Sequence, residues 1–192
     1  IGSNFNSVAV GQLNMNNVYG NCTVSFKEIE ELNISDVYPM HNNLIGRWDI
    51  GNSYLDGHIR KANIDQGGKL PFSIYFNQYV DVVNIRNMSH IAEKVQSGDT
   101  FFWFEEGVGE VNIDNLQLGS SMFRVWTPSP VVVNITNSSF MLSDSANPSA
   151  DNVFNLVNCD VCMATGTDKR KHDLTFRGTM SQLREYLEKY GY

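Results

Sequence analysis

The chain has 192 residues, 42% of them apolar and only 18% charged, with a formal net charge of −7. That length can hold one domain with a full core, and the acidic balance excludes a duplex nucleic-acid partner, because phosphate binding needs a basic face. No apolar run approaches the roughly 18 residues of a membrane span, and no signal-peptide pattern opens the chain.

Residues 1–7 are polar and read as a lead-in. Val8-Ala9-Val10 predicts a strand and Leu13 to Met15 the next. Asn21 to Phe26 alternates, with Cys22, Val24 and Phe26 on one face. Lys27 to Glu31 is a charged connection. Residues 37–70 are the least regular part, interrupted by Pro39, Gly46, Gly51, Gly57 and the Gly67-Gly68 pair, which predicts loops. From Pro71 the pattern is clean. Phe72 to Phe76, Phe101 to Phe104 and Met122 to Trp126 are aromatic-rich strands. Each precedes a short turn and a Val-rich strand ending at Ile85, Ile113 or Ile135. Phe154 fits either kind of strand. Asp144 to Asp151 and Thr165 to Asp173 read as loops. Ser181 to Tyr190 reads as a helix, with Ser181 as N-cap and Leu183, Tyr186, Leu187 and Tyr190 on one stripe.

A five-residue figure organises these strands: apolar, polar, apolar, any, Asn. It is clearest at Val83-Asn84-Ile85-Arg86-Asn87, Val111-Asn112-Ile113-Asp114-Asn115 and Val133-Asn134-Ile135-Thr136-Asn137. Spacing two puts both apolar side chains on one face, and the closing Asn tolerates the left-handed backbone of a sharp bend. Looser copies end at Asn17, Asp36, Asn52, Gln66, Asn158 and Gly178. The intervals run from 14 to 28 residues and cluster near 21.

This pattern resembles the pectate-lyase-like parallel β-helix, of the bacteriophage tailspike and tail-fibre type. The resemblance implies an all-β fold: a right-handed single-stranded parallel β-helix, a β-solenoid of three short strands per coil. It also implies a stacked ladder of turn asparagines at Asn87, Asn115 and Asn137. The β-helix is expected over residues 1–180, with a capping or assembly helix over 181–192. An open first coil needs a cover, so an upstream segment is expected before Ile1.

Alternation assigns Ile74, Phe76, Phe102, Phe104, Phe123 and Val125 to the interior. Tyr75, Trp103, Glu105, Arg124 and Trp126 then form an outward strip for carbohydrate, or for a subunit interface of a homotrimer or with other virion proteins. Glu105, Glu106 and Glu110 at one turn, and Asp49 and Asp56 with Asp65, His58 and Arg60 in the irregular part, are candidate catalytic groups for glycoside hydrolysis or β-elimination. Cys159 and Cys162 sit on opposite faces of a strand and lack two further ligands, so neither metal nor cofactor is expected. Asn-x-Ser/Thr triplets at Asn21, Asn33, Asn87, Asn134 and Asn137 follow from the repeat itself.

The function expected is host attachment: a virion tail-spike or tail-fibre segment, or a similar extracellular protein, that recognises a bacterial surface polysaccharide. A polysaccharide lyase or hydrolase is one alternative, and a structural virion or extracellular protein without a glycan site is the other. The enzyme reading is the weaker for this chain alone.

Overall fold

Alternating apolar residues make strands here because each strand has one face to bury, and a parallel partner in register buries the same face. A computed structural model describes residues 2–4, 9–18, 22–26, 28–36, 47–50, 57–69, 73–89, 100–142, 152–163 and 169–192. One parallel ladder runs through β2 (Ala9–Asn16), β4 (Glu28–Ser35), β6 (His58–Lys69) and β8 (Tyr79–Ser89). It continues through the first part of β10 (Val108–Trp126), β11 (Val132–Thr136) and β13 (Val153–Met163). A second parallel ladder holds β1 (Gly2–Asn4), β3 (Cys22–Ser25), β5 (Arg47–Ile50), β7 (Ser73–Phe76), β9 (Thr100–Phe104) and the last part of β10. Strand β10 therefore joins both ladders into one sheet.

The all-β class holds, but the right-handed parallel β-helix of three short strands per coil does not. Strand β12 (Ser139–Leu142) pairs with both β10 and β13. The strands β10, β11, β13 and β12 thus close into a small parallel, barrel-like ring. The last strand, β14 (Lys171–Thr179), runs antiparallel to β13. The physical reason lies at the bends. Asn87 and Asn115 have φ of 55° and 56°, yet lie inside β8 and β10. Pairing continues on both sides of them, Ile85 with Ile113 before the bend and Met88 with Leu116 after it. A left-handed Asn turns the chain without ending the ladder, so expected short strands merge into long ones.

Two columns fill the interior of the first ladder: Leu32, Ala62, Val83, Val111, Val133 and Phe154, and Ile34, Ile64, Ile85, Ile113, Ile135 and Leu156. All are buried. Each large side chain withdrawn from water contributes about 1.5–3 kcal/mol. Phe154 thus joins the Val-rich ladder. Ile74, Phe76, Phe102, Phe104 and Val125 are buried as expected, with the Phe76 and Phe104 rings stacked at 5.2 Å. The side chain of Phe123 lies outside the described residues.

Not every copy of the five-residue figure is a true one. Trp48 to Ile50 belong to the second ladder, beside Cys22 to Val24 and Ile74 to Phe76. At the Gln66 copy the left-handed residue is Gly67, with φ of 57°, and Gln66 itself is buried. In the last copy Gly178 is not left-handed. Asp173 is, with φ of 52°, inside the antiparallel β14.

Helix α1 (Met180–Lys189) starts from Thr179, not Ser181. The Thr179 side chain accepts from the Gln182 N–H, and Gln182 returns a bond from the Thr179 N–H, a reciprocal capping box. Leu183 and Leu187 are fully buried and the helix packs on β13 and β14, which covers that end of the sheet. Tyr186 packs on Phe176, whereas Tyr190 is 53% exposed and leaves the expected stripe.

Candidate functional site

The second residue of each true copy is Asn, and alternation turns it outward. Register then brings Asn14, Asn33, Asn63, Asn84, Asn112, Asn134 and Asn155 into one column. Strands lie about 4.8 Å apart, so each amide reaches the next. Nδ2 of Asn33 donates to Oδ1 of Asn14 at 2.9 Å, Asn63 to Asn33 at 2.8 Å, and Asn84 to Asn63 at 2.9 Å. The series continues with Asn112 to Asn84 at 3.1 Å, Asn134 to Asn112 at 2.9 Å, and Asn155 to Asn134 at 3.1 Å.

The ladder expected at the bends is present only in part. Asn115 donates to Asn87 and Asn158 to Asn137, but Asn137 donates to Asp114 and Asn87 to Asp65. Sequence reasoning placed its ladder on the fifth position of the figure and missed the longer one on the second. The signal was there: seven of the nine copies carry Asn at the second position.

Beside this column lies a groove of about 370 Å³, lined among others by Lys61, Asn84, Arg86, Asn112, Asp114 and Asn134. Hydrogen bonds from the Thr136 hydroxyl and the Asn137 amide, at 2.7 and 2.9 Å, hold the Asp114 carboxyl below its ordinary pKa. Burial opposes this weakly and the charge of Arg86 assists it. Arg86 lies 3.8 Å from Asp65 and Lys61 lies 4.0 Å from Glu31. Such long, half-exposed pairs contribute little to stability, so a bound molecule can compete for either cation. The groove thus offers amide donors and acceptors, two cations and one carboxylate on a rigid base.

Three residues of the expected strip stand in one column. Tyr75, Trp103 and Trp126 are register partners. Their rings stack on one another, Tyr75 on Trp103 at 5.8 Å and Trp103 on Trp126 at 4.2 Å. Both faces of Trp103 are therefore covered by neighbouring rings, and its indole N–H donates to Glu105 at 2.6 Å. A sugar stacks on a ring face, which Trp103 does not present. Arg124 is half-buried and paired in register with Phe101, one column away from the rings.

Among the described residues, most of the candidate acids are engaged by a neighbour. Glu105 serves Trp103, Glu110 accepts from Asn112 at 2.9 Å, and Glu106 is exposed. Asp49 lies beside Tyr75 in β5, its side chain outside the described residues, and Asp56 lies outside them altogether. His58 Nε2 lies 2.7 Å from Asp81, and Arg60 is paired with Glu30 at 3.0 Å and Glu28 at 3.8 Å. Each base candidate is thus engaged by a carboxylate.

Cys159 and Cys162 are both buried and unbridged, and only Cys159, with Val161 and Met163, belongs to the main core. Burial pushes the Cys159 thiol above its ordinary pKa, although it donates to the Ile135 carbonyl at 3.4 Å. A protonated buried thiol is a poor metal ligand or nucleophile. His172 pairs instead with Asp160 at 2.9 Å. Among the described residues no three His, Cys, Asp or Glu side chains converge on a metal position. Among them, too, no helix is long and apolar enough to cross a membrane. No protein-family model, curated protein or solved structure matches the chain.

Proposed function

We propose that the protein binds an extended polysaccharide along its asparagine face and does not cleave it. The setting is host attachment, on a virion tail or another extracellular surface, with a bacterial surface polysaccharide as partner. One observation carries this reading: seven outward amides in hydrogen-bonded register beside a groove that holds Lys61, Arg86 and Asp114. Amides fixed by their neighbours meet hydroxyl groups without losing side-chain freedom on binding, which is the physical gain of pre-organisation. Glu105 and Glu110 are each engaged by a neighbouring side chain, Trp103 and Asn112, which favours binding over hydrolysis.

The test is a bacterial polysaccharide array, with reducing-end release measured on each polymer bound. Binding without release is expected, and Asn84→Ala should weaken it about fivefold or more, the worth of one hydrogen bond at about 1 kcal/mol. Binding that survives Asn84→Ala and Asn134→Ala unchanged would move the site elsewhere. Release of new ends would restore the depolymerase.

The stacked rings favour a second role for their own face, a contact between copies in a homotrimer. Three half-buried rings that cover one another present an apolar edge suited to a flat partner surface. Sedimentation of Trp126→Ala should then show a weakened oligomer, whereas an unchanged one sinks this role.

A further inference from the structure

The positions two before and two after each asparagine flank the amide column. From β4 to β10 they hold Glu31, Asp65, Glu110 and Asp114 against Lys61 and Arg86, an excess of carboxylates. Arg86 and Asp114 are register partners on the neighbouring strands β8 and β10, and both line the groove. Among the described residues no ion pair or hydrogen bond joins them. Both bonds that Asp114 accepts, from Thr136 and Asn137, fall on Oδ1, which leaves Oδ2 open. The same bonds hold its carboxyl below the ordinary pKa, so it is ionised at neutral pH. Asp65, on the other side of Arg86, takes its bonds elsewhere: Oδ1 accepts from Asn87 at 2.9 Å and from the Gly67 N–H at 3.0 Å. Arg86 approaches it only to 3.8 Å, beyond hydrogen-bond range. A guanidinium with five N–H donors therefore stands one strand from an open carboxylate oxygen.

Resting on the polysaccharide reading above, we infer that the polymer is uncharged and that one of its hydroxyl groups bridges Arg86 and Asp114. The hydroxyl oxygen accepts from a guanidinium N–H, and the hydroxyl proton is donated to Oδ2 of Asp114. A hydroxyl does both at one atom, and each bond to a charged partner is stronger than one between neutral groups. Side chains from strands about 4.8 Å apart can each reach an oxygen set between them, at about 2.8 Å apiece. The pair rejects charged groups of either sign. A uronate carboxylate suits Arg86 but meets the Asp114 carboxylate. An ammonium suits Asp114 but meets the guanidinium. Like charges brought together lower affinity for the wrong ligand. The wider excess of carboxylates on this face acts in the same direction against an acidic polymer.

The experiment measures binding of neutral bacterial polysaccharides, and of the same polymers carboxymethylated, to the unaltered protein, Arg86→Gln, Asp114→Asn and the double variant. Arg86 is exposed, so Arg86→Gln leaves the core intact, and Asp114→Asn is assayed well below its melting temperature. Neutral polymers are expected to bind, and carboxymethylation should weaken them about tenfold or more. Each single substitution should weaken neutral binding about tenfold, the scale of a hydrogen bond to a charged group. The double variant should lose well short of the product of the two, because both side chains hold one hydroxyl. Carboxymethylated polymers bound as tightly as neutral ones, or neutral binding that Arg86→Gln leaves unaltered, overturns the hydroxyl bridge and leaves polysaccharide recognition standing. Failure to bind any polysaccharide overturns both.

Discussion

Replacing Asn115 with Ala tests whether the bends rest on the backbone or on the side chain. Asn115 donates to Asn87 at 3.0 Å, accepts from Gln117 at 3.2 Å, and has φ of 56°. Both bonds are exposed, so each falls at the low end of the usual range, about 0.5 kcal/mol. An Ala held in the left-handed region costs about a further 1–2 kcal/mol. The sum is about 2–3 kcal/mol, which for a chain of this size lowers the melting temperature by roughly 4–12 °C. Asn115→Gly loses the same two bonds but meets no steric cost at that φ. Glycine's greater freedom in the unfolded chain offsets part of this gain, leaving it about 0.5–1 kcal/mol above the Ala variant. Thermal and urea unfolding of the three proteins decide the matter. A Gly variant no more stable than the Ala variant refutes the strain argument. An Ala variant that melts with the parent refutes the role of the bend altogether.

Two further outcomes follow from the geometry. Thr179→Ala should destabilise by about 1 kcal/mol, the usual worth of an N-cap, while Ser181→Ala, exposed and one residue inside the helix, should fall within about 0.5 kcal/mol of the parent; urea midpoints of the pair check this, and the reverse order would return the cap to Ser181. Asp114 has a folded pKa held below its ordinary value of 3.8, so its stabilising effect is complete above that value and fades as pH falls through the folded pKa. The stability gap between the parent and Asp114→Asn should accordingly be present at pH 7 and shrink below about pH 4, and a gap that does not change with pH counts against those hydrogen bonds.

What the sequence determined by itself was local. Period-two alternation picks out strands because side chains on a strand alternate faces whatever lies beside it. The bends at Asn17, Asp36, Asn87, Asn115, Asn137 and Asn158 were legible because tolerance of positive φ belongs to the residue. The helix was legible from its apolar stripe, although its Thr179-to-Gln182 capping box was overlooked. Which copies share a ladder was decided only by tertiary structure. Trp48 to Ile50 fits the figure as well as Ala62 to Ile64 does, yet the two pair with different strands, because register depends on the connections between strands rather than on the strands themselves. The same holds for the ring closed by β12, for the reversal of β14 and for the faces of Trp103. The continuous amide column is a cross-strand property too: seven asparagines were visible one by one, but only pairing in register set each within reach of the next.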